Sequence, residues 1–171
     1  MSMNSTKIEN LIKDYLLEEG ILKEKIANPN FDFGFIISYP PGPKSQNMTV
    51  YKPKNKNSIY ITIRIQFLED HIKALNSLDD NKRFQFYNDM RKYFLSREVF
   101  FAMDLQKSIF EIYKIIYLDP DGKISKDTLY KRIQRIFYCY VVSNLILEEH
   151  CFSKESPPRK LGSDFNFSLY S

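Results

Sequence analysis

The sequence predicts an α+β fold in two layers, an antiparallel sheet of about five strands packed against helices in the order α-βββ-α(α)-ββ-α. Three observations predict it. Apolar and polar residues alternate over 31–39, 47–52 and 59–67, the period of a strand with one buried face. In the first, middle and last parts of the chain, apolar residues recur instead at steps of three and four, the period of a helix. The links between the three strands are also too short for a parallel crossover, which needs a dozen or more residues, so neighbours are expected to run antiparallel.

The first element begins at Thr6-Lys-Ile-Glu9, which has the form of a capping box. Ile8, Leu11, Ile12, Tyr15 and Leu16 then share a helix face until Gly20 stops it. In the first strand Phe31, Phe33, Phe35, Ile37 and Tyr39 alternate with Asp32, Gly34, Ile36 and Ser38, and Pro40, Pro41, Gly42 and Pro43 end the run. The second strand, 47–52, is shorter. After a lysine-rich turn, Ile59, Ile61, Ile63, Ile65 and Phe67 alternate with Tyr60, Thr62, Arg64 and Gln66 as the third strand.

Residues 68–98 contain neither Gly nor Pro and place Ile72, Leu75, Leu78, Phe84, Tyr87, Met90 and Phe94 at helical steps. Ser77-Leu-Asp-Asp80 reads as a capping sequence that divides this stretch into two helical pieces. Val99 to Leu105 and Ile109 to Leu118, rich in β-branched and aromatic residues around Gln106-Lys107-Ser108, suggest a second hairpin. Asp119-Pro-Asp-Gly122 turns the chain, and Ser125 is the expected N-cap of a long final helix. Its apolar stripe is Leu129, Ile133, Ile136, Phe137, Tyr140, Val141 and Leu145, and its end lies near His150. A single domain over 1–152 is expected. Residues 153–171 read as a mobile tail in which Phe165, Phe167 and Leu169 alternate as an edge strand at 164–170 would.

At 171 residues the chain has the length of one domain able to bury a core without metal or disulfide. Its 43% hydrophobic content excludes a wholly disordered or collagen-like protein. No apolar run reaches the roughly 18 to 20 residues of a membrane-spanning helix, and the first residues lack a signal peptide's apolar stretch, so a cytoplasmic protein without membrane contact is expected. Cys139 and Cys151 are twelve residues apart. On one helix that is roughly 18 Å of rise, so both are expected as reduced thiols.

Catalytic patterns are scarce. Nucleophile and base would have to come from Cys139 or Cys151 with His71 or His150, without a motif to unite them, and no CxxC or HxxxH spacing gathers a zinc ion. Asp119-Pro-Asp121-Gly122 echoes part of a calcium loop, but Tyr117 and Thr128 stand where the first carboxylate and the closing glutamate belong. Pro41-Gly-Pro43 lacks the pattern of a phosphate cradle. Neither a cofactor nor a catalytic residue is assigned, and an enzyme of unrecognised type is a third reading.

Binding has more support. The chain holds 14 Phe and 12 Tyr. After the core positions are allotted, Ile36, Tyr60, Phe86, Tyr93, Phe100, Tyr113 and Tyr117 fall on the second face of their elements. Either helices cover that face or it meets a protein, and a homodimer that also captures a protein or peptide is the leading reading. The alternative partner is nucleic acid. The net charge of +4 equals that of Lys44, Lys52, Lys54 and Lys56 in an acid-free stretch, and Lys126, Lys131, Arg132 and Arg135 lie near the start of the final helix. Tyr51 and Tyr60 would stack on bases in that reading.

The element order, with Ile116-Tyr-Leu-Asp-Pro-Asp-Gly-Lys-Ile-Ser-Lys-Asp-Thr-Leu129 leading from the last strand into the last helix, resembles an uncharacterised, mainly archaeal protein family whose fold is like that of type III secretion chaperones. The likeness spans about residues 6 to 150. It implies a small, non-enzymatic, dimeric domain that binds a segment of another protein along its sheet or helix surface. Secretion chaperones tend to be acidic, whereas this chain is basic.

Overall fold

The computed structural model describes residues 3–104, 107–119 and 121–152, so the tail and the edge strand expected at 164–170 lie outside it. In chain order the elements are α1 (Met3–Glu18), β1 (Leu22–Lys25), β2 (Phe31–Tyr39), β3 (Gln46–Pro53), β4 (Ser58–Gln66), α2 (Glu69–Ser77), α3 (Asp80–Ser96), β5 (Phe100–Asp104), β6 (Ile109–Tyr117) and α4 (Lys126–Cys151). The α+β class stands, with six strands among the described residues where five were expected. The extra strand, β1, pairs antiparallel with β2 through Leu22 opposite Ile37 and Lys25 opposite Phe35. Three of its four residues are exposed, so pairing of the main chain, and not an apolar stripe, makes it a strand.

The sheet runs β1-β2-β3-β4-β6-β5, every pair antiparallel. β2, β3 and β4 form the expected three-strand meander, and β1 extends it at the edge. From β4 the chain crosses through α2 and α3 to the far edge, lays down β5, and turns back so that β6 enters between β4 and β5. One face of this sheet is the floor of the core. Phe33, Phe35, Ile37, Met48, Val50, Ile59, Ile61, Ile63, Phe110 and Ile112 all point to that side. Ile12 and Leu16 of α1, Leu75 of α2, Phe86, Met90 and Phe94 of α3 and Leu129, Ile133 and Ile136 of α4 close over them in one cluster. All four helices therefore sit on the same side, and among the described residues none packs on the other.

Helix ends follow local chemistry with two corrections. The first helix already includes Met3, so Thr6 does not start it; Ser5, inside the helix, donates its hydroxyl to Asp32 at 3.0 Å. Between α2 and α3 the cap is Asp79, which accepts from the Lys82 amide at 2.8 Å, while Ser77 bonds back to the Ala74 carbonyl. The shorter reach of an aspartate one residue before the helix wins over the serine two residues earlier. Ser125 does cap α4, accepting from the Thr128 amide. Gly20 takes the left-handed conformation, φ +64°, that ends α1. Along α4, Leu145 is half-exposed and Ser143 and Leu147 are buried instead, so the stripe drifts off the simple period near its end.

Candidate functional site: the uncovered face of the sheet

On the face away from the helices, five aromatic rings form a ladder across five strands. Phe31 of β2 stacks on Tyr51 of β3 at 4.3 Å between ring centres, and Tyr51 on Tyr60 of β4 at 5.3 Å. Tyr60 meets Tyr113 of β6 at 6.3 Å, and Tyr113 meets Phe100 of β5 at 5.2 Å. Planes of successive rings differ by no more than 27°.

Register builds the ladder. Tyr51 lies directly opposite Tyr60, and Phe100 opposite Tyr113. Tyr60 is opposite Ile115, and Tyr113 opposite Thr62, so the Tyr60–Tyr113 step is diagonal. The Phe31 end depends on an irregularity and on a glycine. The register shifts between Phe31 and Phe33, which turns Phe31 away from the core, and Gly34 faces Tyr51 with no side chain of its own. A Cβ on Gly34 would come within 3.3 Å of the Phe31 ring and 3.5 Å of Tyr51 Cβ, so the missing side chain leaves the space the Phe31 ring fills.

Polar groups punctuate the face. Thr62 donates to Glu111 Oε1 at 2.8 Å, and Arg64 stands opposite Glu111 in the register. Lys56 reaches the Tyr60 hydroxyl at 3.3 Å. Burial, then the neighbouring Glu111 charge, push the Tyr51 hydroxyl above the usual tyrosine range, so that ring stays uncharged near neutrality.

Of the aromatic residues the sequence singled out, Tyr60, Phe100 and Tyr113 join the ladder. Ile36 lies half-buried in β2, opposite Thr49, and Tyr117, 77% exposed, stands at the end of β6. Two belong elsewhere. Phe86 is fully buried under α3, edge-on to Phe67, because its helix turns that position into the core. Tyr93 packs on the helical layer beneath the Arg97 guanidinium. Sequence reasoning missed Phe31, since strict alternation assigns it to the core, and used Tyr51 only as a base-stacking candidate.

The basic candidates divide. Lys52 is buried and pairs with Asp32 at 2.6 Å, which withdraws it from any ligand-binding role at the surface. Lys54 and Lys56 are exposed on the turn between β3 and β4, and Lys44 borders a hollow beside Phe137 and Tyr140 of α4. Lys126 bonds Glu18 and Glu19, each at 2.8 Å, tying the start of α4 to the end of α1. Lys131 pairs with Asp127 at 2.9 Å, while Arg132 and Arg135 border a separate cleft near Arg97.

The nucleophile candidates come partly together. Cys151 Sγ donates to the His71 main-chain carbonyl at 3.7 Å, and His71 Nε2 contacts Glu148 at 3.1 Å. Burial and the Glu148 charge push the Cys151 thiol up to about 11, the wrong direction for a nucleophile. Burial likewise raises Cys139, and His150 contacts Asp89 at 3.1 Å. Both cysteines are free. Asp119 and Gly122 close a plain turn, the Gly122 amide donating to the Asp119 carbonyl at 2.7 Å. Among the described residues no three His, Cys, Asp or Glu side chains gather as a metal site, and no helix is long and apolar enough to cross a membrane.

The family described as "Uncharacterized conserved protein (DUF2299)" matches residues 8–147. No curated protein matches the chain. A crystal structure of an uncharacterized protein from Methanothermobacter thermautotrophicus is similar to it, with a TM-score of 0.76 and 22% sequence identity over 84% of this chain and 99% of that one. That likeness establishes a shared fold.

Proposed function

The chain belongs to the DUF2299 family of uncharacterised conserved proteins, and from the uncovered face of its sheet we infer that it is a non-enzymatic, cytoplasmic protein-binding module whose first partner is a second copy of itself. The observation that carries this reading is the five-ring ladder on a face without a helix. Contiguous aromatic surface of this kind is the material of interface cores, where each well-packed ring pair contributes about 0.5–1.5 kcal/mol beyond area burial. The face also carries opposite charges side by side, Arg64 against Glu111. A surface holding both signs can meet its own two-fold copy with each charge facing its opposite. The reading agrees with the dimeric, segment-binding role that the resemblance to secretion chaperones implies. The raised thiol of Cys151 supports the non-enzymatic part.

Nucleic acid is the second reading, and ring orientation weighs against it. Near-parallel rings with centres 4.3–5.3 Å apart overlap face to face, so they present edges and hydroxyls outward and leave a base few open faces to stack on. Glu111 adds a negative charge at the middle of the same surface.

Sedimentation equilibrium across the micromolar range tests the proposal. The wild-type chain is expected as a dimer and Tyr113→Glu as a folded monomer with unchanged far-ultraviolet circular dichroism. A wild-type chain that stays monomeric throughout that range overturns self-association.

A further inference from the structure

We propose that the cleft between the C-terminal end of α3 and the first half of α4 binds a small polyanion with two or more linked phosphate groups. The cleft has a volume of about 710 Å³, within the range of small-ligand sites, and Arg97, Lys131, Arg132 and Arg135 line it together with a single carboxylate, Asp127, and with Gln134 and Tyr138. Positions 128, 131, 132, 135 and 138 recur at steps of three and four along α4, so they share one face, and Arg97 at the cap of α3 looks onto it.

What marks this cleft is an excess of positive charge, four cations against one carboxylate. Lys131 has Asp127 at 2.9 Å, but among the described residues no carboxylate comes within ion-pair distance of Arg97, Arg132, Arg135 or the adjoining Lys114. Arg135 Nη1 instead donates to the Arg97 carbonyl at 3.3 Å, and Lys114 Nζ to the Glu98 carbonyl, so both cations are anchored on the same short cap of α3. Burial, then the Arg132 charge, lower the Lys114 ammonium, with Arg135 acting in the same sense against Glu98. Like charges gathered this way repel one another, and an anion that bridges them relieves the repulsion. Guanidinium groups favour phosphate because their forked donors match its oxygens two at a time.

Two observations favour a compact anion over a nucleic-acid strand. The exposed lysines of the β3–β4 turn, Lys54 and Lys56, border a different hollow with Ser5 and Asp32, so these two basic groups do not continue the cleft as one track. Arg97, Arg132 and Arg135 line one cleft, and Lys114 stands near enough to feel the charges of the last two, which suits charge concentrated in a short phosphate chain.

Isothermal titration of the full chain at low ionic strength provides the test, with inorganic pyrophosphate, ATP and a single-stranded oligonucleotide as probes. Pyrophosphate or ATP is expected to bind one to one. Arg132→Gln combined with Arg135→Gln should weaken that binding at least about tenfold, since each charge-assisted bond is worth a large share of such an affinity, while Lys54→Gln combined with Lys56→Gln leaves it unchanged. Equal affinity for both phosphates identifies the phosphate chain as the ligand; tighter ATP binding adds a nucleoside to it, and either outcome supports the site. No binding by the wild type at millimolar pyrophosphate or ATP overturns it. So does an equal loss in the Lys54/Lys56 variant, or an oligonucleotide that binds more tightly than either phosphate. If the arginine variant fails to fold, Arg97→Gln, at an exposed helix cap, gives the same readout.

Discussion

The buried Lys52 ammonium shows how a single side chain can change meaning between sequence and structure. In the sequence it belongs to a run of lysines with no acid nearby; in the fold Asp32 comes to it from the neighbouring strand, and Ser5 of α1 donates to the same Asp32 oxygen. Burial works against the Asp32 carboxylate, but the hydrogen bonds from Lys52 and Ser5 outweigh it, and Asp32 ends below its ordinary value of 3.8. A carboxylate that is more acidic folded than unfolded stabilises the fold fully above the unfolded value and loses that contribution as pH falls through the folded one. Thermal melts should therefore find Asp32→Asn less stable than wild type by about 2 kcal/mol at neutral pH, with the gap closing below the ordinary aspartate value of 3.8. A gap that persists at lower pH would mean that packing, and not charge, accounts for the loss. Lys52 was illegible in advance because its partner is twenty residues away across a strand pair whose register the sequence does not state.

At the scale of elements, the alternations of β2, β3 and β4 were legible because each buries one face, as the isoleucines of β4 illustrate, while β5 and β6 were legible from their β-branched and aromatic content. β1 was not, since only Leu22 among its four residues is even half-buried. Three of the ladder's five rings, Tyr60, Phe100 and Tyr113, could be anticipated from their second-face positions. Its Phe31 end could not, because a one-residue irregularity reverses which side of the sheet a side chain faces. Gly34 is the element-level test of that account. In Gly34→Val the new branches press on the Phe31 ring and on Tyr51, with an expected loss of about 1–3 kcal/mol and a changed near-ultraviolet tyrosine signal. Gly34→Val with both quantities unchanged would show that the stack does not need the space beside Gly34.

For the whole molecule, the two surfaces respond to salt in opposite ways. Apolar association through the ladder face should persist or strengthen as sodium chloride is raised toward molar concentrations, whereas pyrophosphate affinity at the α3–α4 cleft should fall steeply. Sedimentation and calorimetry on one preparation compare them; a dimer that dissociates with added salt would place ion pairs, not rings, at its interface. The class and the helical pieces were legible at this scale, but the position of β6 was not, since nothing in a hairpin's sequence says which neighbour it will join. That late insertion bears on how the protein is made. On the ribosome the first four strands emerge with the outer side of β4 unpaired, and the segment that completes it begins only at Ile109. Until then, nascent chains translated side by side expose the same open amides to one another. Ribosome-bound chains arrested at residue 104 should crosslink to holdase chaperones, and those extended well past 117, far enough for Tyr117 to clear the exit tunnel, should let them go; equal crosslinking at both lengths would mean that the open edge is masked from the start.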